Sequence, residues 1–169
     1  MILHKGVDMA LRTLRTLGDP ILDKHSKEVK EITPRIKELI SDMYETLTEA
    51  NGVGLAAVQV GILKRIFIIN IDEDNKGTFI NPVIKSTEGE VLDYEGCLSV
   101  PKKTGKVNRP QKVTVEAFDE NMKPFTLTVE DLYARAICHE YDHLDGILYV
   151  DRVEGDLIDT DENYEEVDE

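Results

Sequence analysis

The chain has 169 residues, of which 41% are hydrophobic and 32% charged, proportions that fit one soluble globular domain with a real core. No run of about 18 apolar residues occurs, which excludes a transmembrane helix; the start "MILHKGVD" lacks the apolar stretch of a secretory signal, and two cysteines cannot build a disulfide framework. The net charge of −14 argues against a broad nucleic-acid-binding surface, so the expectation is a cytosolic protein with no membrane and no DNA partner.

In chain order, residues 1–8 precede a second methionine, Met9, and read as an upstream extension. "GDP" at Gly18 to Pro20 marks a turn. Thr33 before Pro34 reads as an N-cap followed by a first helical residue. Ile36, Leu39, Ile40, Met43 and Leu47 follow at helical spacing, and Asn51-Gly52 stops the run. The expected helix is Pro34 to Ala50. "RIFIIN", Arg65 to Asn70, is a short isoleucine-rich run, hence a strand buried on both faces. "TFINPVIK" and "EGEVLDYEGCLSV" read as strands broken by Pro82 and Gly89. "KVTVEAFD" alternates apolar and polar residues as a half-buried strand does. "KPFTLTVE" is its expected hairpin partner across "DENMK".

Thr128 with Asp131 three residues on resembles a capping box. A second helix then runs to His143 or Leu144, with Gly146 near its C-cap. After Val153 come nine acidic residues and no lysine or arginine. Residues 154–169 therefore read as a solvated, disordered tail following a single catalytic domain over residues 1–153.

The chemistry lies on the second helix, in "CHEYDHLDG". His139 and His143 are four apart and so share one helical face. Leu132 and Ala136 fall on the same side, which places both histidines on the inward, apolar face. An unpartnered imidazole there costs energy, and His-Glu-x-x-His is the pattern of metal hydrolases. A metal held by His139 and His143 therefore outweighs a hydrogen-bonded core pair. Glu140, beside the first histidine, is then the candidate base; alone it would read as an exposed helix glutamate. Cys138 is rotated about 100° from His139 and reads as a small buried hydrophobe. A catalytic site of this type needs a third protein ligand. His4 and His25 lack a ligand-like context. Cys97 offers a soft thiolate, and from spacing alone a ligand and a buried free cysteine are equally open.

Three stretches, "GVGLAAVQVG" (Gly52 to Gly61), "EGCLSV" (Glu95 to Val100) and "HEYDHLDG" (His139 to Gly146), resemble in order and spacing the three motifs of peptide deformylase. The resemblance extends from Arg12 to about Asp151. It implies an α+β fold, with antiparallel strands packed around a central helix carrying the H-E-x-x-H motif and a second, N-terminal helix. It implies removal of the formyl group from the N-terminal formylmethionine of nascent polypeptides in a bacterial cytoplasm. It also implies one divalent metal, natively ferrous iron and replaceable by zinc, nickel or cobalt, on Cys97, His139 and His143.

By the same resemblance Glu140 is general base and acid, and the Gln59 side chain and the Leu98 backbone N–H face the formyl oxygen. Gly54 runs beside the peptide main chain. Val53, Leu132 and Ala136 line the methionine pocket, and Glu95 with Arg109 holds the cysteine loop. Arg135 is unusual beside that pocket. Some compact members dock on the ribosome through a basic C-terminal helix. The acidic end of this chain departs from them, so a transient ribosome association is expected to use another surface. Two rivals remain to be weighed: a zinc endopeptidase with a downstream third ligand, and a closed structural metal site with a fourth.

Overall fold

The computed structural model describes residues 10–160. In chain order the longer elements are α1 (Pro34–Glu49), β1 (Gly54–Ala56), β2 (Ile66–Asp72), β3 (Asn75–Glu88), β4 (Val91–Cys97) and β5 (Val100–Arg109). They continue with β6 (Lys112–Phe118), β7 (Pro124–Glu130), α2 (Asp131–Leu144) and β8 (Glu154–Asp159). All described strand pairs are antiparallel, and they form two sheets, one in the order β1-β2-β3-β6-β7 and one in the order β4-β5-β8. The chain is α+β, as the motifs imply.

Helix α1 starts where its sequence says it should. The Thr33 hydroxyl accepts from the Ile36 N–H at 3.3 Å, and Pro34 fills the first turn, where a missing N–H costs nothing. Leu39, Ile40, Met43 and Leu47 are buried and pack with Leu55, Ile66, Ile68 and Ile80. The opposite face of the same sheet carries Phe67, Ile69, Phe79, Val113 and Val115, packed against Tyr133, Ala134, Ile137, Cys138 and Leu144 of α2. Successive residues of β2 thus face different helices, because side chains alternate across a strand. This is why "RIFIIN" is apolar throughout. The larger sheet is a shared floor, and α2 lies on one side of it.

Four sequence expectations change. Pro82 does not end a strand: β3 continues through it, and the register with β6 shifts between Ile80 and Val83. Proline has no N–H to lose at such a bulge. Thr128 does not cap α2. Its hydroxyl bonds that of Thr114 at 2.8 Å within the β6–β7 hairpin, and Glu130 occupies the cap position without a side-chain bond. Leu132 is not interior but half exposed at 51%: in the first turn of α2, Tyr133 and Ala134 face the sheet and Leu132 faces the cleft. The boundary at Val153 does not hold either. Glu154–Asp159 forms β8 and pairs with β5 at Lys103, Thr104 and Lys106. Its side chains are all exposed, and what recruits it is the backbone of an open sheet edge. The expectations for residues 1–8, and for the part of the tail after Thr160, fall outside the described residues.

Candidate active site

Helix α2 presents His139 and His143 one turn apart, with ring centroids 5.0 Å from each other. Strand β4 ends at Cys97, where a two-residue turn through Leu98 and Ser99 starts β5 and pairs Cys97 with Val100. The turn places the thiol against the helix, with Sγ 3.4 Å from His143 Nε2. One ligand atom from each of Cys97, His139 and His143 lies within 4.8 Å of the others. A sulfur and two imidazole nitrogens at this spacing fit one divalent transition metal. Cys138 is buried in α2 and is no part of this cluster; burial, its main influence, pushes its thiol up to about 11. No fourth His, Cys, Asp or Glu joins the three among the described residues, so the closed structural site is not built.

The ligands are held from behind by buried charges. Glu95 Oε1 lies 2.5 Å from His139 Nδ1 and accepts from Arg109 Nη2 at 2.7 Å. Its Oε2 accepts from Arg109 Nε at 3.1 Å and from Arg135 Nη1 at 2.9 Å. Both oxygens of the carboxylate are thus doubly engaged, which is how a buried charge is tolerated. With Nδ1 occupied, His139 turns Nε2 toward the cluster. Burial alone would raise the Glu95 pKa, but the bonds from His139 and Arg109 outweigh it and bring it to about 2. Arg109 Nη1 also bonds Asp142 Oδ2 at 2.6 Å, and Arg152 closes the chain on Asp142. Burial, then the neighbouring His139, hold His143 well below the usual imidazole range, which keeps it neutral as a ligand must be.

Glu140 is 3% exposed and borders the cleft. Its Oε1 is 3.7 Å from His139 Nε2, and its Oε2 is buried without a hydrogen-bond partner. Burial, the dominant cause, pushes its pKa up to about 7. Gly54 makes room for it: a Cβ there would meet Glu140 Cγ and Oε1 at 3.0 Å. The glycine is thus needed for close approach of the carboxylate as well as for a bare backbone beside the cleft. Gln59 is buried, with Oε1 accepting from the Ala56 N–H at 2.9 Å. That bond fixes the amide so that Nε2 points to Ser99 Oγ at 3.1 Å and Cys97 Sγ at 3.6 Å.

A cleft of about 470 Å³ opens over these groups, lined by Val53, Gly54, Gln59, Cys97, Leu98, Leu132, Ala136, His139 and Glu140 among others. The sequence-predicted residues other than His143 and Arg109 line this one cavity, Glu95 included; His143 lies beneath it against Cys97, and Arg109 behind Glu95. A larger groove, of about 870 Å³, lies beside α1 but contains no histidine or cysteine. Sequence reasoning missed Ser99, Asp142 and Tyr149. Tyr149 stacks on His139 at 6.1 Å and donates to the Lys103 carbonyl. Asp142 was legible in principle: three residues after His139, it shares that flank of the helix. Tyr149 carried no local signal. Arg135 lines the cleft and is buried, tied to Glu95 and to the carbonyls of Val107 and Val91.

Comparison with known proteins agrees with this geometry. The family model described as polypeptide deformylase matches residues 11–157. A peptide deformylase of Agathobacter rectalis is 54% identical over 161 residues, covering 95% of this chain and 100% of that protein. One of Lachnoclostridium phytofermentans is 54% identical over 151 residues, covering 88% and 93%. The crystal structure of a peptide deformylase from Legionella pneumophila superposes with a TM-score of 0.83 at 42% identity, covering 86% of this chain and 87% of that one. Another, from Synechococcus elongatus in complex with actinonin, gives 0.82 at 42% identity, covering 85% and 79%. The chain belongs to the polypeptide deformylase family, metal-dependent hydrolases that remove the N-formyl group from nascent polypeptides.

Proposed function

We propose that Cys97, His139 and His143 hold one divalent metal and that Glu140, Gln59 and the Leu98 N–H carry out hydrolysis of the formyl amide beside it. The carrying observation is the three donor atoms within 4.8 Å, with an unpartnered, buried carboxylate oxygen next to them. When bound, the metal supplies Lewis acidity and lowers the pKa of a water. Glu140 would take up a proton from water at its free oxygen and hand it to the leaving amine as the formyl C–N bond breaks, with formate as the other product.

Gln59 Nε2, fixed by the Ala56 bond, donates to the formyl oxygen together with the Leu98 N–H. Donors of this kind contribute about 2.7 to 4 kcal/mol each. The backbone at Gly54 pairs with the peptide main chain. Val53, Leu132 and Ala136 receive the methionine side chain, whose flexible thioether suits an apolar wall. Glu95 and Arg109 hold His139 and the β4 end in place. Ferrous iron is the proposed native metal, on the strength of the motif resemblance; a thiolate and two imidazoles also accept zinc, nickel or cobalt. The activity sits in one catalytic domain that includes β8, in a bacterial cytoplasm. Any transient ribosome contact uses a surface other than the acidic end, because phosphates repel carboxylates.

The test is formate release from formyl-Met-Ala-Ser by anaerobically prepared, metal-loaded protein. Glu140→Gln should keep the metal and lose at least about a hundredfold in rate, the usual scale for general acid–base loss. Near-normal release by a metal-loaded Glu140→Gln protein would remove Glu140 from its role, and cleavage of internal peptide bonds without formate would point to the endopeptidase instead.

A further inference from the structure

The two groups read as donors to the formyl oxygen stand on different elements. Gln59 belongs to the short 3-10 turn Ala57–Val60, which follows β1, and Leu98 to the turn between β4 and β5. Strand β1 is part of the five-stranded sheet, whereas β4 and β5 are part of the three-stranded one, so neither ladder sets the distance between the two turns. What joins them is a stretch ahead of α1 that is neither helix nor strand. The Arg15 N–H donates to the Gln59 carbonyl at 2.7 Å, and the Leu17 N–H to the Ser99 carbonyl at 2.8 Å. We infer that the backbone N–H groups of Arg15 and Leu17 form a clamp that positions Gln59 and Leu98 for catalysis. This rests on the reading that Gln59 and the Leu98 N–H donate to the formyl oxygen.

Two residues of chain span at most about 7 Å, so the clamp limits how far apart the two acceptors can stand. Gln59 Nε2 closes the ring by donating to Ser99 Oγ at 3.1 Å, and both residues are buried. A carboxamide nitrogen carries two hydrogens. With one held by Ser99, the other turns to the side of Cys97 Sγ, 3.6 Å away at the cleft. The clamp is itself anchored at both ends. Upstream, the Ala10 N–H bonds Asp42 Oδ1 at 3.0 Å and the Arg12 N–H bonds Thr46 Oγ1 at 2.9 Å, both on α1. Downstream, the Asp19 N–H bonds the Thr16 carbonyl at 3.0 Å, and the Asp19 carboxylate accepts from the Ile21 N–H at 3.0 Å. Side chains take no part in the two clamping bonds: that of Leu17 is largely exposed, and the Arg15 guanidinium pairs with Asp19 at the surface. The stretch acts through its backbone, so its side chains carry no sign of the role.

The experiment replaces Arg15 or Leu17 by its α-hydroxy acid, which keeps the side chain and exchanges the N–H for an ester oxygen. Both proteins are loaded with metal, and their fold is checked by circular dichroism. With formyl-Met-Ala-Ser, kcat should fall at least about tenfold in each, with KM within about threefold and metal content unchanged, since a misplacement of about 1 Å costs up to about a hundredfold. The same exchange at Arg12 loses a bond to α1 only; it should lower Tm and keep kcat within about twofold. Arg15→Ala keeps the N–H and should keep the wild-type kcat. A double-mutant cycle separates positioning from general loosening: in Gln59→Ala the exchange at Arg15 should change kcat by less than about twofold, because the amide it positions is gone. An unchanged kcat in either folded ester protein would overturn the clamp. So would an equal loss in the Gln59→Ala background, in the Arg12 ester protein or in Arg15→Ala. Unfolding of both ester proteins would overturn it as well, by making the stretch a part of the fold and not a positioning device. A wild-type kcat in Gln59→Ala, or no formate release by the wild type, would instead overturn the functional reading beneath it.

Discussion

Glu95 shows how much one buried side chain carries. It joins β4, β5 and α2 through two arginines and a histidine. Its carboxyl is held at about 2 against an ordinary value of 4.5. The folded value is the lower one, so the resulting stability is fully present above pH 4.5 and is lost as pH falls toward 2. A shift of this size corresponds to about 3 kcal/mol. Glu95→Gln should lower stability near pH 6 by an amount of that order, since it leaves two buried guanidiniums short of an anion. The gap between wild type and variant should then shrink between pH 4.5 and 3. Urea unfolding of both proteins, stripped of metal and followed at pH 6 and pH 3, measures this. A gap equal at the two pH values would mean that Glu95 contributes by shape rather than by charge. None of this was visible in the sequence beyond the family motif: a glutamate in "YEGCLSV" reads as solvated, and its partners lie 14, 40 and 44 residues away. By contrast His139, Glu140 and His143 were legible, because helical periodicity alone puts the two histidines on one inward face.

The same division between local and distant causes holds for the elements. Helix α1 was readable to within one residue, because Thr33, Pro34 and Asn51 act on their own neighbours. Strand β3 was read as broken at Pro82, since the compensating bulge belongs to its pairing with β6. Strand β8 was unreadable for a stronger reason. It buries no side chain, and the hydrogen bonds that define it do not depend on which side chains the segment carries. What it does is cover the free edge of β5, and the Thr160 N–H donates to the Lys102 carbonyl just beyond it. The Lys103 ammonium pairs with Asp159 across the same edge, and Lys102 and Lys103 line the cleft. A chain ending at Val153 should therefore be less stable than one ending at Thr160. Exposed backbone bonds contribute about 1 kcal/mol or less each net, so a loss of about 2 kcal/mol, or roughly 4 to 8 °C in Tm, is expected. Differential scanning calorimetry of the two chains decides it. Equal Tm values would return Glu154–Asp159 to the solvated tail that its composition suggests.

At the scale of the molecule, the metal ligands sit at the margin of the core. Two hydrophobic clusters fill the two faces of the five-stranded sheet, and a third, smaller one of Val100, Val107 and Tyr149 packs against Cys97. The ligands are held by Glu95, Tyr149 and the β4–β5 turn. Three protein ligands make an open site of the catalytic kind, unlike the four-ligand sites on which small metal-dependent folds rely. Removing the metal should therefore abolish formate release but leave the protein folded. Linkage predicts only a modest loss of stability, about 2.7 kcal/mol for a metal present at a hundred times its Kd. Chelation should leave the far-ultraviolet circular dichroism spectrum and a cooperative thermal transition in place, with Tm lower by several degrees, and readdition of metal should restore activity. Cys97→Ser should behave as the chelated protein does, whereas Cys138→Ala, altering a thiol outside the cluster, should keep both metal and turnover. Metal analysis, dichroism and formate release on the same samples separate the cases. A chelated protein that loses its cooperative transition would make the metal part of the fold, and a Cys138→Ala protein without metal would move the third ligand from β4 into α2.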